Sequence, residues 1–140
     1  MQIILNHIGA PLGIGPYAGK RAEVFQAWSG GIVEVAKCPN VVVKLGGVDS
    51  QRSGYDWHER AVNPSSLELA QILQPYFEHC IEQFGIHRCL FESNFPPEKL
   101  ANTYVNLWNA FKRMTEKYTA GERAALFHNT AARVYCIACL

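Results

Sequence analysis

The chain has 140 residues, of which 49% are hydrophobic, and a formal net charge of +1. This length and composition are typical of one globular domain, and the balanced charge excludes a basic surface for nucleic acid. No apolar run reaches the ~18 residues that cross a membrane, and the N-terminus lacks the pattern of a signal peptide. We therefore expect a cytoplasmic protein with no nucleic-acid or membrane partner.

Short apolar runs alternate with helical periodicity along the chain. Val41–Leu45, a β-branched run without polar alternation, is typical of a strand covered on both faces. The whole pattern predicts strands at 3–5, 41–45 and 88–91, and helices at 21–37, 65–84 (with a kink or break at Pro75), 103–118, 122–127 and 129–135. Ser65 or Ser66, with Glu68, is predicted to open the second helix, and Asn129 to cap the last.

Three β-loop-α units in sequence favour an α/β fold with a parallel sheet. They fit either an open, doubly wound sheet or a piece of a closed (β/α)8 barrel. Three strands alone would make a thin sheet with two unprotected edges. A whole barrel takes ~250 residues, so this length holds only part of one. Composition does not distinguish the open sheet from the piece of a barrel, but the loop motifs do.

The number and spacing of the cysteines indicate a reducing compartment. There are five, an odd number, and most are scattered. Only Cys136 and Cys139 have the C-x-x-C spacing, and a zinc ribbon needs a second such pair. We expect these two residues to be thiols without a metal or redox role.

Polar groups follow each predicted strand, where parallel α/β folds carry their functional residues. The first strand ends in Asn6–Gly9, and by strand alternation His7 is expected to point into a barrel mouth. A histidine there can bind a metal, polarise a carbonyl or move a proton. The alternative is a histidine that is hydrogen-bonded at a strand end for structure alone.

Four segments in chain order carry a resemblance. They are Asn-His-Ile-Gly, Asn-Val-Val-Val-Lys-Leu-Gly-Gly, Arg-Cys-Leu-Phe-Glu-Ser-Asn-Phe-Pro and Asn-Thr-Ala-Ala-Arg-Val-Tyr. Together they resemble the amidohydrolase-related family, which includes dicarboxylate lactonases, sugar-lactone hydrolases and decarboxylases. The resemblance implies that residues 1–140 are the C-terminal part of a TIM-like (β/α)8 barrel, with three βα units and C-terminal helices. The His-x-His pair of the family's first strand is absent from this sequence, as it would be if the N-terminal half were missing.

The resemblance also implies roles for residues. His7 stands where the family has a histidine that contacts the metal or the substrate carbonyl, and Asn94 where many members have a water-activating aspartate. An amide neither accepts a proton from water nor supplies negative charge to a metal. Either another group is then the base, with Glu92 as the candidate, or the chemistry differs. The structural alternative for Glu92 is a solvent-facing loop carboxylate. The implied cofactor is a divalent metal such as zinc, with His7 as ligand, although the missing His-x-His pair and Asn94 weaken that inference.

Three further residues are candidate substrate contacts. Lys44, inside an apolar strand, is expected either to pair with an acidic substrate or to reach a carboxylate or water. His58 and Arg60 lie in the long second loop, which either covers the substrate or is a solvated surface loop.

The leading hypothesis is therefore a hydrolase of a lactone or a similar carboxylated cyclic small molecule. The isolated 140-residue chain is expected to be inactive. Decarboxylation within the same family is one alternative. A non-catalytic α/β interaction module is another, in which exposed barrel edges would favour self-association.

Overall fold

The computed structural model describes residues 1–137, so Cys139 of the C-x-x-C pair lies outside the described residues. The strands are β1 (Ile3–Leu5), β2 (Val41–Leu45) and β3 (Cys89–Phe91), and the α-helices are α1 (Arg21–Ala36), α2 (Ser66–Phe84), α3 (Tyr104–Met114), α4 (Ala120–Ala124) and α5 (Thr130–Val134). The strands form one parallel sheet in the order β1-β2-β3. This confirms the predicted α/β class and the alternation of strand and helix.

The register of the sheet brings the three strand ends to one edge. Leu5 pairs with Val43, and Leu45 pairs with Phe91. Since parallel strands run in the same direction, the segments that follow all three strands emerge side by side. The polar groups that the sequence places after each strand therefore meet there.

Local capping explains where α2 begins. Ser65 and Glu68 form a capping box at the start of α2, as predicted. The helix continues through Pro75 instead of breaking there, since the buried Leu73 and Phe77 hold both of its halves against the core. The predicted cap at Asn129 is wrong, because that residue lies within a π-helical turn, Ala125–Asn129, that joins α4 to α5.

The core lies between the sheet and the helices α2 and α3. Phe91 of β3 stacks on Phe111 of α3 with ring centroids 4.4 Å apart, and both rings contact Phe77 of α2. By contrast β1 is an exposed edge, with 44% of Ile3 accessible to solvent. Within residues 1–137 no helix combines the length and apolarity needed to cross a membrane.

Candidate active site

A strained turn positions His7. The segment Asn6–Gly9 forms a 3-10 turn in which His7 and Ile8 have φ of 54° and 50°. This left-handed conformation is uncommon for any non-glycine residue and costly for a β-branched one. Burial of Ile8 and a 2.7 Å hydrogen bond from Trp28 Nε1 to the Ile8 carbonyl hold the turn. The turn, and not the strand alternation assumed from the sequence, therefore sets the direction of His7.

Glu92 joins the ends of all three strands. Its Oε1 accepts a 3.0 Å hydrogen bond from the His7 backbone N–H and lies 2.6 Å from His7 Nδ1. Its Oε2 pairs with the Lys44 ammonium. The Glu92 side chain is 8% exposed, against 31% for His7. Because an ionised carboxylate only accepts hydrogen bonds, we assign the ring proton of neutral His7 to Nδ1, which leaves Nε2 with a free lone pair.

Two glycines make room for this contact. A Cβ at Gly46 would overlap the backbone and side chain of Glu92, and a Cβ at Gly47 would overlap the His7 ring. Gly47 also has a φ of +68°, which glycine adopts without strain. The Gly-Gly pair after β2 is thus a packing requirement of the histidine–glutamate contact.

A pair of buried carboxyl groups lies next to Asn94. The Asn94 amide donates a 2.8 Å hydrogen bond to Glu98 Oε1, and the Asn102 amide donates to Asp49 Oδ2. Asp49 and Glu98 are both buried. Burial raises the pKa of both carboxyl groups, and the charge of Glu98 adds to the increase at Asp49.

A cavity of about 320 Å³ lies at the strand ends. The lining includes His7, Gly47, Arg52, His58, Asn94 and Glu98. The cavity volume is at the lower end of the range of small-molecule sites. Residues from all three strand-end loops therefore face one cavity of small-molecule size.

The predicted site residues are only partly brought together. His7, Asn94 and His58 line the cavity, and Glu92 and Lys44 stand behind His7 as a bonded pair. Glu92 is therefore not the solvent-facing carboxylate of the alternative interpretation. Arg60 is exposed and lies 3.4 Å from Glu68, so the structure does not bring it to the cavity.

Sequence reasoning missed Asp49 and Glu98. The only available signal was an acidic residue in each of two strand-end loops. Surface loops carry such residues routinely, and nothing in the spacing indicates that these two are buried together.

Comparison with known proteins identifies one family. The amidohydrolase family model matches residues 1–137. The uncharacterized protein y4mH of Sinorhizobium fredii is 36% identical over 135 residues, which are 96% of this chain and 39% of that protein. The L-fucono-1,5-lactonase of Burkholderia multivorans is 29% identical over 136 residues, which are 96% of this chain and 43% of the lactonase.

Crystal structures of an amidohydrolase from Burkholderia multivorans have the same arrangement of elements. The form with bound HEPES has a TM-score of 0.81 and 26% identity, covering 98% of this chain and 45% of that one. The form with bound zinc has a TM-score of 0.79 and 28% identity, covering 98% and 44%. The chain thus spans about two fifths of the length of the curated relatives it matches.

The described residues do not by themselves fit a zinc centre. Structural and catalytic zinc sites need three or four converging protein ligands. Within residues 1–137 no group of three His, Cys, Asp or Glu side chains is placed to hold a metal. His7 is the one predicted ligand, and a single imidazole, whose Nε2 is free while Nδ1 contacts Glu92, does not hold zinc by itself.

Proposed function

The chain belongs to the amidohydrolase family, and from that membership we propose that it carries part of the active site of a lactone hydrolase in which His7 is the general base. The observation that supports this role is the 2.6 Å contact between His7 Nδ1 and Glu92 Oε1. A carboxylate bonded to one ring nitrogen selects the tautomer in which the other is a proton acceptor.

This arrangement favours His7 over Glu92 as the base. Both Glu92 oxygens are engaged, one by His7 and the other by Lys44. Neutral His7 with a proton on Nδ1 presents a lone pair at Nε2, which can take a proton from water but cannot donate one to a carbonyl. Glu92 then acts as a positioning residue that stabilises the imidazolium formed during the reaction, and Lys44 balances its charge.

The substrate proposed is a cyclic ester of a small molecule. Two of the relatives matched are L-fucono-1,5-lactonases, and the cavity offers polar groups for a hydroxylated ring. Asn94 has a carbonyl oxygen and one N–H beyond the N–H used by Glu98. His58 adds a polar group from the second loop.

We further propose that the three βα units are completed into a (β/α)8 barrel by strands outside this chain. The exposed edge at β1 and the chain's coverage of about two fifths of its relatives support this. In that arrangement the 140-residue chain alone has no turnover, because the barrel mouth that would enclose a substrate is incomplete. Self-association through the β1 edge is the expected behaviour of the isolated chain.

The His7 tautomer tests the proposal directly. Nitrogen-15 NMR of the 140-residue chain distinguishes the two neutral tautomers, and we expect His7 with Nδ1 protonated and Nε2 free. Glu92→Gln should abolish this preference. His79 is a matched control, since its Nε2 is engaged at 3.1 Å by the Ser29 carbonyl and not by Glu92, and it should not respond.

Turnover is tested in a chimera. Residues 1–137 replace the matched 136-residue segment of the Burkholderia multivorans lactonase, and hydrolysis of L-fucono-1,5-lactone is followed. We expect His7→Gln to lower kcat about 10²–10⁴-fold, the usual contribution of a general base, and His79→Gln to leave it within about twofold. Equal activity of the His7→Gln chimera, or a His7 protonated on Nε2, would refute the proposed role.

A further inference from the structure

Two buried acids have no part in the proposed base catalysis by His7. Asp49 is 1% exposed and Glu98 is 2% exposed, and they come from the loops after β2 and β3. Carboxylic acids are almost never fully buried unless they are paired. None of the ion pairs found within residues 1–137 includes either of them. Their burial therefore needs another compensating interaction.

Hydrogen bonding indicates what that interaction is. Glu98 Oε1 accepts from Asn94 and Asp49 Oδ2 accepts from Asn102, but Asp49 Oδ1 and Glu98 Oε2 have no donor among the described residues. Besides burial, a hydrogen bond between the two carboxyl groups contributes to the pKa of each, raising that of Asp49 and lowering that of Glu98. Two ionised carboxylates can only accept, so one shared proton satisfies both unpartnered oxygens.

The surrounding charges are compatible with that proton at neutral pH. Besides burial, the Asn94 hydrogen bond and a positive charge on His7 once it is protonated lower the pKa of Glu98, the negative charge of Glu92 raises it, and the charge of Asp49 acts on Tyr55. Desolvation is the largest effect on both acids and raises the pKa of each. Burial therefore favours a proton on the pair at a pH where an isolated carboxyl group would be ionised.

Hydrolysis of a lactone can use such a proton, because a second acid can protonate the leaving oxygen while His7 still holds the proton taken from water. His7 with Nε2 free can accept a proton from water, but the ring oxygen that leaves as an alkoxide must receive one. Of the two acids, Glu98 lines the cavity together with His7 and Asn94. Asp49 is not among the residues that line it.

We propose that Glu98 is the general acid of this site and that Asp49 is the positioning residue with which it shares one proton. The inference rests on the proposed lactone hydrolysis. Water loses a proton to His7 as its oxygen bonds to the carbonyl carbon. The ring C–O bond then breaks, and the departing oxygen takes the proton of the acid pair. Transfer of the His7 proton back to the pair restores the site, with one water added across the ester.

The test varies the leaving group in the lactonase chimera. L-Fucono-1,5-lactone releases an alkoxide, whereas dihydrocoumarin releases a phenolate that needs little help from an acid. We expect Glu98→Gln to lower kcat/KM about 10²–10⁴-fold for the fuconolactone and less than about tenfold for dihydrocoumarin. His7→Gln should impair both substrates, and Glu78→Gln, at a surface ion pair with Lys117, should impair neither.

These outcomes separate the two proposals. If Glu98→Gln lowers kcat/KM equally for both substrates, or for neither, the acid role is overturned. The His7→Gln result tests the hydrolase proposal by itself. If the chimera does not fold, infrared spectroscopy of the 140-residue chain still decides. We expect a protonated-carboxyl C=O stretch at neutral pH that disappears in Asp49→Asn, and its absence from the unsubstituted chain overturns the shared proton.

Discussion

Glu92→Gln is the substitution that most directly tests how the strand ends are held together. Glutamine keeps the shape of the side chain but removes its charge, and one of its two terminal atoms becomes a donor that faces donors on His7 or Lys44. Removing one partner of a buried ion pair costs ~3–5 kcal/mol. Since the Lys44 side chain is 20% exposed and water offsets part of its loss, we expect the free energy of unfolding to fall by about 2–3 kcal/mol.

Urea unfolding followed by fluorescence of the three tryptophans measures this loss. The matched control is Glu34→Gln, which removes an exposed ion pair with Lys37 and should cost no more than about 0.5 kcal/mol. The double variant Lys44→Met/Glu92→Gln should be less destabilised than the sum of its single variants, because the two side chains are in contact. A Glu92→Gln loss no larger than that of Glu34→Gln would refute the structural role assigned to this carboxylate.

Three further predictions rest on the same geometry. Gly47→Ala should lower the free energy of unfolding by at least about 1–2 kcal/mol, because its Cβ would overlap the His7 ring at a positive φ. Gly30→Ala, in the open surroundings of α1, should raise the free energy of unfolding by about 1 kcal/mol in the same urea titration. Burial raises the pKa of Asp49 from 3.8 to about 7, so the folded state binds more protons than the unfolded one in that range. Relative to Asp49→Asn, the unsubstituted chain should therefore lose up to ~1.4 kcal/mol of stability per unit as the pH rises through this window, and a difference that does not vary with pH contradicts the shift. Ser65→Ala removes the cap of α2 and should cost about 1 kcal/mol in thermal unfolding; unchanged stability would mean that the capping box contributes nothing.

Much of the fold follows from local patterns in the sequence. The β-branched run at Val41–Leu45 and the helical periodicity after it place strand and helix within a few residues of the observed bounds. Ser65 and Glu68 mark the start of α2 for the same reason, since capping is decided by residues three apart. Asn129 shows the limit of this reasoning. It has the side chain of a cap, but the chain on both sides of it remains helical.

The candidate site, like the fold, was predictable from the sequence only in part. That polar groups follow each strand is visible in the sequence, and a parallel sheet places those groups at one edge. Which of them touch is a different matter. His7 and Glu92 are 85 residues apart and meet at 2.6 Å, and only the register of the three strands decides that. The direction of His7 depends on a left-handed turn held by Trp28, which strand alternation did not predict.

The sequence by itself determined the class of the fold, the order of its elements and the segments that carry the chemistry, because these depend on residues close together along the chain. Only the tertiary structure decided that Glu92 is bound between His7 and Lys44, and that Asp49 and Glu98 are buried together next to Asn94. The physical reason is that the ionisation and hydrogen bonding of a carboxyl group depend on its burial and on the partners it meets in space. Distant loops supply those partners, and their separation along the chain carries no information about their contact.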